Sequence, residues 1–177
     1  MKKMALLIVD VQNALVEEHP YNEIIMNENI CKLIETARQS SIKVIYVRHD
    51  GGVGDELEAN TRGWEIYKEV APSNTDQLVE KKFNSSFKDT QLQEILNESK
   101  IDTLIIVGMQ TEYCIDATIK SAFEHGYRVI VPERTTATFD NDFFTGETVL
   151  NYYEKEIWDE RFARVIPIEQ VMDEMLG

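Results

Sequence analysis

The feature that most constrains this fold is an alternation of short, continuously apolar runs with amphipathic stretches. The runs lie at 5–9, 44–47, 103–107 and 129–131, with weaker ones at 78–79 and 165–166. Runs that are apolar on both faces belong to buried strands of a parallel sheet that helices cover on both sides. The pattern therefore predicts an α/β fold: a Rossmann-like, three-layer α/β/α sandwich with a mostly parallel sheet of about six strands.

The stretches between these runs have the spacing of amphipathic helices. The apolar positions that show it are Ile30, Leu33, Ile34 and Ala37, then Leu92, Ile95 and Leu96, then Ile115, Ile119, Ala122 and Phe123. Gly126 follows the last set, where the C-terminal glycine of a helix belongs. The chain contains no evident linker or repeat, and its 177 residues suit one domain, so we expect 1–177 to form a single domain.

The charge balance limits the classes of partner. The chain has 32 acidic and 18 basic residues, a formal net charge of −14 at pH 7. This field repels phosphate backbones and anionic lipid surfaces, so we expect neither nucleic acid nor a membrane as partner. We predict no signal peptide and no membrane-spanning segment. Two cysteines cannot form a disulfide framework, which is typical of a reducing, cytoplasmic compartment.

Reactive residue types stand where the predicted strands end. Asp10 ends the first strand, His49 the second, and Lys81 with Lys82 the third. Ligands of open parallel sheets bind at these carboxyl ends. Asp10 alone is compatible with a metal ligand, a nucleophile, a general base or a structural aspartate. A phosphoryl-transfer aspartate would be accompanied by a second Asp at position 12, where this chain has Gln12.

The fourth strand is followed by the most specific pattern in the chain. A glycine turn at Gly108 leads to Thr111 and then to Cys114 at the head of an amphipathic helix. Thr111 is expected to be the N-cap, and the helix N-terminus there favours thiolate over thiol at Cys114. The alternative is a buried, inert cysteine. A nucleophilic thiolate needs a base and a cation, which Asp10 and Lys81 could supply if the strand ends converge.

Four blocks carry a resemblance to a known family. They are Leu7-Ile8-Val9-Asp10-Val11-Gln12-Asn13, Lys81 with Ser85-Ser86-Phe87, Gly108-Met109-Gln110-Thr111-Glu112-Tyr113-Cys114, and Ala122-x₃-Gly126-Tyr127-x-Val129. Together they resemble the isochorismatase-like cysteine hydrolases, a superfamily that includes nicotinamidases and N-carbamoyl amidohydrolases. The blocks stand in the family's order and span most of the chain.

The resemblance implies an Asp10–Lys81–Cys114 catalytic triad, with Lys82 as the alternative lysine. It also implies a cis peptide bond between Met109 and Gln110, a non-proline bond. That geometry would aim the Gln110 N–H, together with the N–H of Cys114, at an oxyanion. No cofactor is implied.

Two departures from the family bear on the substrate. Ala14 and Leu15 stand where an aromatic residue is usual, and the Asp/His cluster that binds metal in nicotinamidases has no counterpart beyond His49 and Asp50. We therefore expect no metal and a substrate other than nicotinamide. Because a cysteine favours acyl transfer, we expect hydrolysis of an amide or related C–N bond through a thioester. The alternatives are vinyl-ether hydrolysis of the isochorismatase type, and a non-catalytic or redox-sensing ligand-binding domain.

Substrate contacts are expected from the strand ends and from the long segment 50–76, which lacks periodicity. The candidates are Gln12, His49, Trp64, Phe87, Glu112 and Tyr113. The acidic field favours neutral or cationic small molecules. The family implies a homo-oligomer, a dimer or tetramer, and the aromatic stretch 151–158 is expected to serve the core or a subunit contact.

Overall fold

The computed structural model describes residues 3–177, and its sheet is parallel throughout. Its strands are β1 (Met4–Val9), β2 (Lys43–His49), β3 (Gln77–Lys81), β4 (Thr103–Met109), β5 (Arg128–Pro132), β6 (Thr136–Ala137) and β7 (Arg164–Ile166). The order is β3-β2-β1-β4-β5-β7, with β6 paired to the end of β4. The chain winds outward in one direction from β1 and in the other from β4. The topological switch point therefore lies between these two strands.

Helices cover both faces of the sheet. They are α1 (Asn13–Val16), α2 (Glu23–Gln39), α3 (Leu92–Glu98), α4 (Asp116–Glu124), α5 (Gly146–Tyr152) and α6 (Ile168–Leu176). A 3₁₀ turn spans Lys68–Val70, and π-helical turns span Thr111–Ile115 and Tyr153–Trp158. Within residues 3–177 no helix is long and apolar enough to cross a membrane.

Successive residues of the central strands pack into two separate apolar clusters. Leu6 and Ile8 of β1 join the cluster under α2 and α6, whereas Leu7 and Val9 join the one under α3 and α4. A strand with both faces buried reads as a continuous apolar run, because side chains alternate between the faces. The predicted α/β/α fold class is confirmed, and so are the helices predicted from the three spaced apolar sets.

Two details near the fourth strand go beyond the sequence pattern or differ from it. The short strand β6 was not predicted. The helix after β4 begins with a π-helical turn whose N-cap is Gln110, so the prediction that Thr111 is the N-cap was wrong. The Thr111 hydroxyl is instead buried and hydrogen-bonded to Thr136 Oγ1 at 2.9 Å.

Trp158 is fully buried, so this part of the stretch 151–158 belongs to the core.

Close approach between β1 and β4 requires the glycine at Gly108. Its φ is +125°, and a Cβ atom there would lie 2.0 Å from the carbonyl oxygen of Val9, its partner across the sheet. Gly108 N–H also donates to the carbonyl of Thr135 at 3.0 Å. Since only glycine fits this backbone conformation and this contact, the end of β4 can lie directly beside Asp10.

A buried carboxyl group holds the turn that follows β5. Glu154 is 4% exposed, and its Oε1 accepts a hydrogen bond from Arg134 N–H at 2.9 Å. Arg134 has a φ of 61°, in the left-handed region. Burial raises the pKa of Glu154 to about 7. The turn continues into β6, which pairs with the last residues of β4.

Glu154 makes the stability of the fold pH-dependent. Because its folded-state pKa lies above the unfolded value, the folded protein binds more protons between the two values, and stability falls as pH rises through about 7. Glu154→Gln keeps an acceptor for Arg134 without the charge. We expect this variant to match the wild type near pH 5 and to melt at a higher temperature at pH 8. Glu156→Gln, at an exposed position of the same turn, is the control. A parallel pH dependence of melting in Glu154→Gln and the wild type would contradict the assignment.

Candidate active site

Three strand ends bring a carboxylate, an ammonium and a thiol together at the switch point. Asp10 directly follows β1 with a φ of 52°, a left-handed conformation that Asp adopts more readily than most residues. Lys81 is the last residue of β3, and Cys114 lies in the π-helical turn after β4. The convergence expected from the strand ends is therefore present.

The Lys81 ammonium is the centre of this cluster. Its Nζ lies 2.7 Å from Asp10 Oδ2 and 3.2 Å from Cys114 Sγ. It also lies 2.9 Å from His49 Nδ1 and donates to the Phe83 carbonyl at 3.0 Å. The Lys81 side chain has no exposed surface. The alternative lysine, Lys82, is 77% exposed and lies outside this set of contacts.

The thiol of Cys114 is protonated in this arrangement. Burial, followed by the negative charge of Asp10, raises its pKa to about 12, and Lys81 only partly offsets these effects. The predicted preference for thiolate at the helix N-terminus is therefore outweighed by burial and by the charge of Asp10. A buried site with an adjacent carboxylate disfavours a second negative charge more strongly than the helix N-terminus stabilises it.

The imidazole of His49 is neutral beside the ammonium. Burial and then the positive charge of Lys81 lower its pKa, which the nearby carboxylates only partly offset. His49 and Lys81 are register partners at the ends of β2 and β3. Their side chains therefore lie next to each other on one face of the sheet.

The same residues do not fit a metal ion. One potential ligand atom from each of Asp10, His49 and Cys114 lies within 4.8 Å of the others. The Nζ of Lys81, however, lies between 2.7 and 3.2 Å from an atom of each of these residues. A cation of the protein itself therefore occupies the centre that a metal would need.

Comparisons with known proteins assign the chain to a family. The isochorismatase domain family matches residues 4–170. The chain belongs to the isochorismatase family.

The relatives cover most of the chain. An uncharacterised isochorismatase family protein of Bacillus subtilis, YrdC, is 30% identical over 99% of this chain and 97% of its own. Nicotinamidase 3 of Arabidopsis thaliana is 32% identical over 80% of this chain and 76% of its own. The crystal structure of a cysteine hydrolase from Pseudomonas syringae has a TM-score of 0.90 at 25% identity, covering 98% of this chain and 92% of that one.

In this isochorismatase-family chain, the Gln12 side chain binds backbone groups of two segments. Its Nε2 donates to the carbonyls of His49 at 3.0 Å and Trp64 at 2.9 Å, and its Oε1 accepts from His49 N–H at 2.9 Å. The side chain is fully buried. Because both amide hydrogens are used, Gln12 joins the end of β2 to the loop that carries Trp64, and its predicted substrate contact stays a prediction.

Phe87 packs against aromatic rings of the fold, and its predicted substrate contact stays a prediction. Its ring packs against His125 at 5.0 Å and Tyr127 at 6.0 Å between centroids, at the far end of α4 from Cys114. The intervening Ser86 is hydrogen-bonded to Thr118 in the middle of α4. These hydrogen bonds connect the segment after Lys81 to α4. The Phe87 ring of the same segment packs within the fold.

The other predicted substrate contacts remain candidates. Trp64 is half-buried, with the Arg48 guanidinium 3.2 Å from its ring centroid. Glu112 accepts a hydrogen bond from the Thr138 hydroxyl at 2.6 Å, and Tyr113 is 52% exposed next to Cys114. The bond between Met109 and Gln110 is cis.

Two contacts of the cluster were missed from the sequence. The carbonyl of Phe83 accepts from Lys81, and Asn84 Oδ1 lies 3.9 Å from Cys114 Sγ. A backbone carbonyl carries no sequence signal. Asn84 directly precedes the Ser85-Ser86-Phe87 block in the sequence, and this position was its one available signal.

Replacing Gln12 tests its structural role. Gln12→Leu leaves three inward-facing backbone groups without their partner, and a buried unpaired group costs about 1–3 kcal/mol. We expect a loss of at least about 2 kcal/mol in urea unfolding, with faster amide exchange in the loop around Trp64. Gln39→Leu, at an exposed position on α2, is the control. A Gln12→Leu protein as stable as this control would contradict the role.

Proposed function

We propose that this protein hydrolyses an amide or related C–N bond of a small molecule, with Asp10, Lys81 and Cys114 as its catalytic triad. The observation that supports this most directly is the buried Lys81 ammonium, which contacts the Asp10 carboxylate and the Cys114 sulfur at once. A base, a cation and a nucleophile within contact of one another are the parts that covalent acyl transfer requires.

The first half of the reaction forms a thioester. The Cys114 S–H proton passes to the Asp10 carboxylate as the sulfur attacks the carbonyl carbon, and Lys81 stabilises the thiolate. The tetrahedral oxyanion accepts hydrogen bonds from the N–H groups of Gln110 and Cys114. Loss of one donor of this kind typically costs about 3–4 kcal/mol of transition-state stabilisation. Asp10 then gives its proton to the leaving nitrogen as the C–N bond breaks.

The second half returns the enzyme to its starting state. Asp10 takes a proton from water as the water oxygen attacks the thioester carbonyl. The C–S bond breaks, the acid departs, and the proton on Asp10 returns to the Cys114 sulfur. The products are ammonia or an amine and an acid. The resting thiol fits this sequence because proton transfer to Asp10 and attack on the carbonyl occur in the same step.

Family membership supports the same chemistry. The name of the Arabidopsis relative, nicotinamidase, describes hydrolysis of an amide, and the Pseudomonas structure is described as a cysteine hydrolase. The Asp/His cluster that binds metal in nicotinamidases has no counterpart in the sequence beyond His49 and Asp50, which favours a substrate other than nicotinamide for this chain.

The net charge of the protein favours neutral or cationic substrates. A cavity of about 290 Å³ beside Lys81 does not decide the charge of the substrate, because its wall contains lysines as well as carboxyl groups and includes neither Asp10 nor Cys114. A larger cavity of about 920 Å³ lies at the opposite edge of the sheet, near the starts of β1, β5 and β7, away from the triad. The preference rests on the formal net charge of −14 at pH 7, which repels anions. A homo-oligomeric state and a cytoplasmic location stay predictions.

An ammonia-release screen tests the proposed activity. Small amides, ureides and N-carbamoyl compounds are incubated with the wild type, with Cys114→Ala, and with Cys31→Ala as the matched control. We expect at least one compound to release ammonia with the wild type and Cys31→Ala only, because the Cys114 thiol forms the intermediate. Mass spectrometry of a quenched reaction should find the acyl group on Cys114. Turnover that survives Cys114→Ala would contradict the assigned nucleophile.

Replacing Asp10 should separate thiol ionisation from turnover. Asp10 raises the pKa of Cys114, so in Asp10→Asn the pKa falls and the thiolate becomes the countercharge of the buried ammonium. We expect faster alkylation by iodoacetamide at pH 8, but hydrolysis about 10²–10⁴-fold slower, because the proton acceptor is gone. Asp50→Asn is the control. Slower alkylation together with undiminished hydrolysis would contradict the role of Asp10.

A further inference from the structure

The Lys81 ammonium has more neighbours than it has hydrogens. An ammonium carries three N–H groups and accepts none. Four atoms of the described chain nevertheless lie within 3.2 Å of its Nζ: Asp10 Oδ2, His49 Nδ1, the Phe83 carbonyl oxygen and Cys114 Sγ. At any moment, at most three of these four atoms can each accept an N–H of their own from Lys81.

The protonation state of the Cys114 sulfur decides which neighbour is left without an N–H from Lys81. In the resting protein the Asp10 carboxylate and the Phe83 carbonyl are good acceptors, whereas the resting Cys114 is a neutral thiol and a weak acceptor. The third N–H therefore goes to His49 in the resting protein. Because Nδ1 then accepts, the ring proton of the neutral imidazole is on Nε2.

We infer that His49 is a positioning residue that takes the third Lys81 N–H in the resting enzyme and releases it to the Cys114 sulfur when the thiolate forms. The consequence for turnover rests on the proposed function. No proton leaves Lys81 in this exchange: its N–H···N hydrogen bond to His49 breaks, an N–H···S hydrogen bond forms, and the thiol proton passes to Asp10.

The structure holds His49 firmly enough for this task. Gln12 hydrogen-bonds both the N–H and the carbonyl of His49, and the register of β2 and β3 sets the imidazole beside Lys81. The charged groups that act on the ring are Lys81 and Asp10 within the cluster, and Asp50 and Asp55 from the following loop. The neutral imidazole is thus an acceptor in a fixed position.

Two variants of His49 distinguish a role as hydrogen-bond acceptor from a role in filling space. His49→Asn places an amide oxygen close to the former position of Nδ1, whereas His49→Leu fills similar space without an acceptor. In His49→Leu the third N–H is free for the sulfur at all times. We expect its thiolate content, followed by ultraviolet absorbance between pH 6 and 10, to reach a given level about one pH unit lower than in the wild type. His49→Asn should follow the wild type.

Kinetics distinguish positioning from substrate binding. With Lys81 held by fewer contacts, we expect His49→Leu to lower kcat about tenfold with little change in KM, and His49→Asn to restore most of it. A rise in KM with unchanged kcat and unchanged thiolate content would overturn the inference and leave His49 as a substrate contact.

The tautomer of His49 tests the inference without turnover. Nitrogen-15 NMR of the imidazole should show the proton on Nε2 and a bare Nδ1, with the signals assigned by their loss in His49→Asn. A protonated Nδ1 would overturn the inference, because Lys81 would then have no acceptor there. If these readouts hold while the ammonia screen fails, the substrate class is wrong and the positioning role stands.

Discussion

The arrangement of this protein's candidate site depends on one buried ion pair, between Lys81 and Asp10. An unpaired ammonium in the interior is costly, and removing one member of a buried pair typically costs about 3–5 kcal/mol. Lys81 has no exposed surface, so its charge is tolerated only because Asp10 Oδ2 lies 2.7 Å away and because further acceptors surround Nζ. Two neighbouring residues keep the elements that carry these acceptors in place. Gly108 lets β4 approach the end of β1, and Gln12 fastens the end of β2.

The same pair explains why Cys114 rests as a thiol in the site for which we propose nucleophilic attack. Lys81 stabilises a negative sulfur, yet its charge is already neutralised by Asp10, and burial penalises a second anion. In the proposed mechanism Cys114 ionises only as its proton moves to Asp10, which protects it from indiscriminate alkylation and oxidation, since the thiolate is the reactive form. On that proposal, the reactivity of Cys114 depends on Asp10 as proton acceptor more than on the helix that presents it.

Much of the fold could be predicted from the sequence, because its signals are local. The apolar runs of β1 and β4 are continuous since both faces of each strand are buried, and α2 shows its inward face through the spacing of Ile30, Leu33 and Ile34. The residues that converge were predictable because they stand at strand ends, and the family resemblance selected Lys81 over Lys82. The short strand β6 and the π-helical turn were not predictable, because each depends on a neighbour distant in the chain, such as Thr136 beside Thr111.

By itself, the sequence determined the layered α/β fold, the family, and the set of reactive residues. Periodicity and motif order are properties of the amino-acid sequence, so the fold class, the family and these residues could be predicted from it. Only the tertiary structure decided what each polar side chain does. It gave the Gln12 amide to backbone groups, placed the Phe87 ring at the far end of α4, and set His49 against the ammonium. It also reversed the expected ionisation of Cys114, because a pKa depends on burial and on charges brought close by folding.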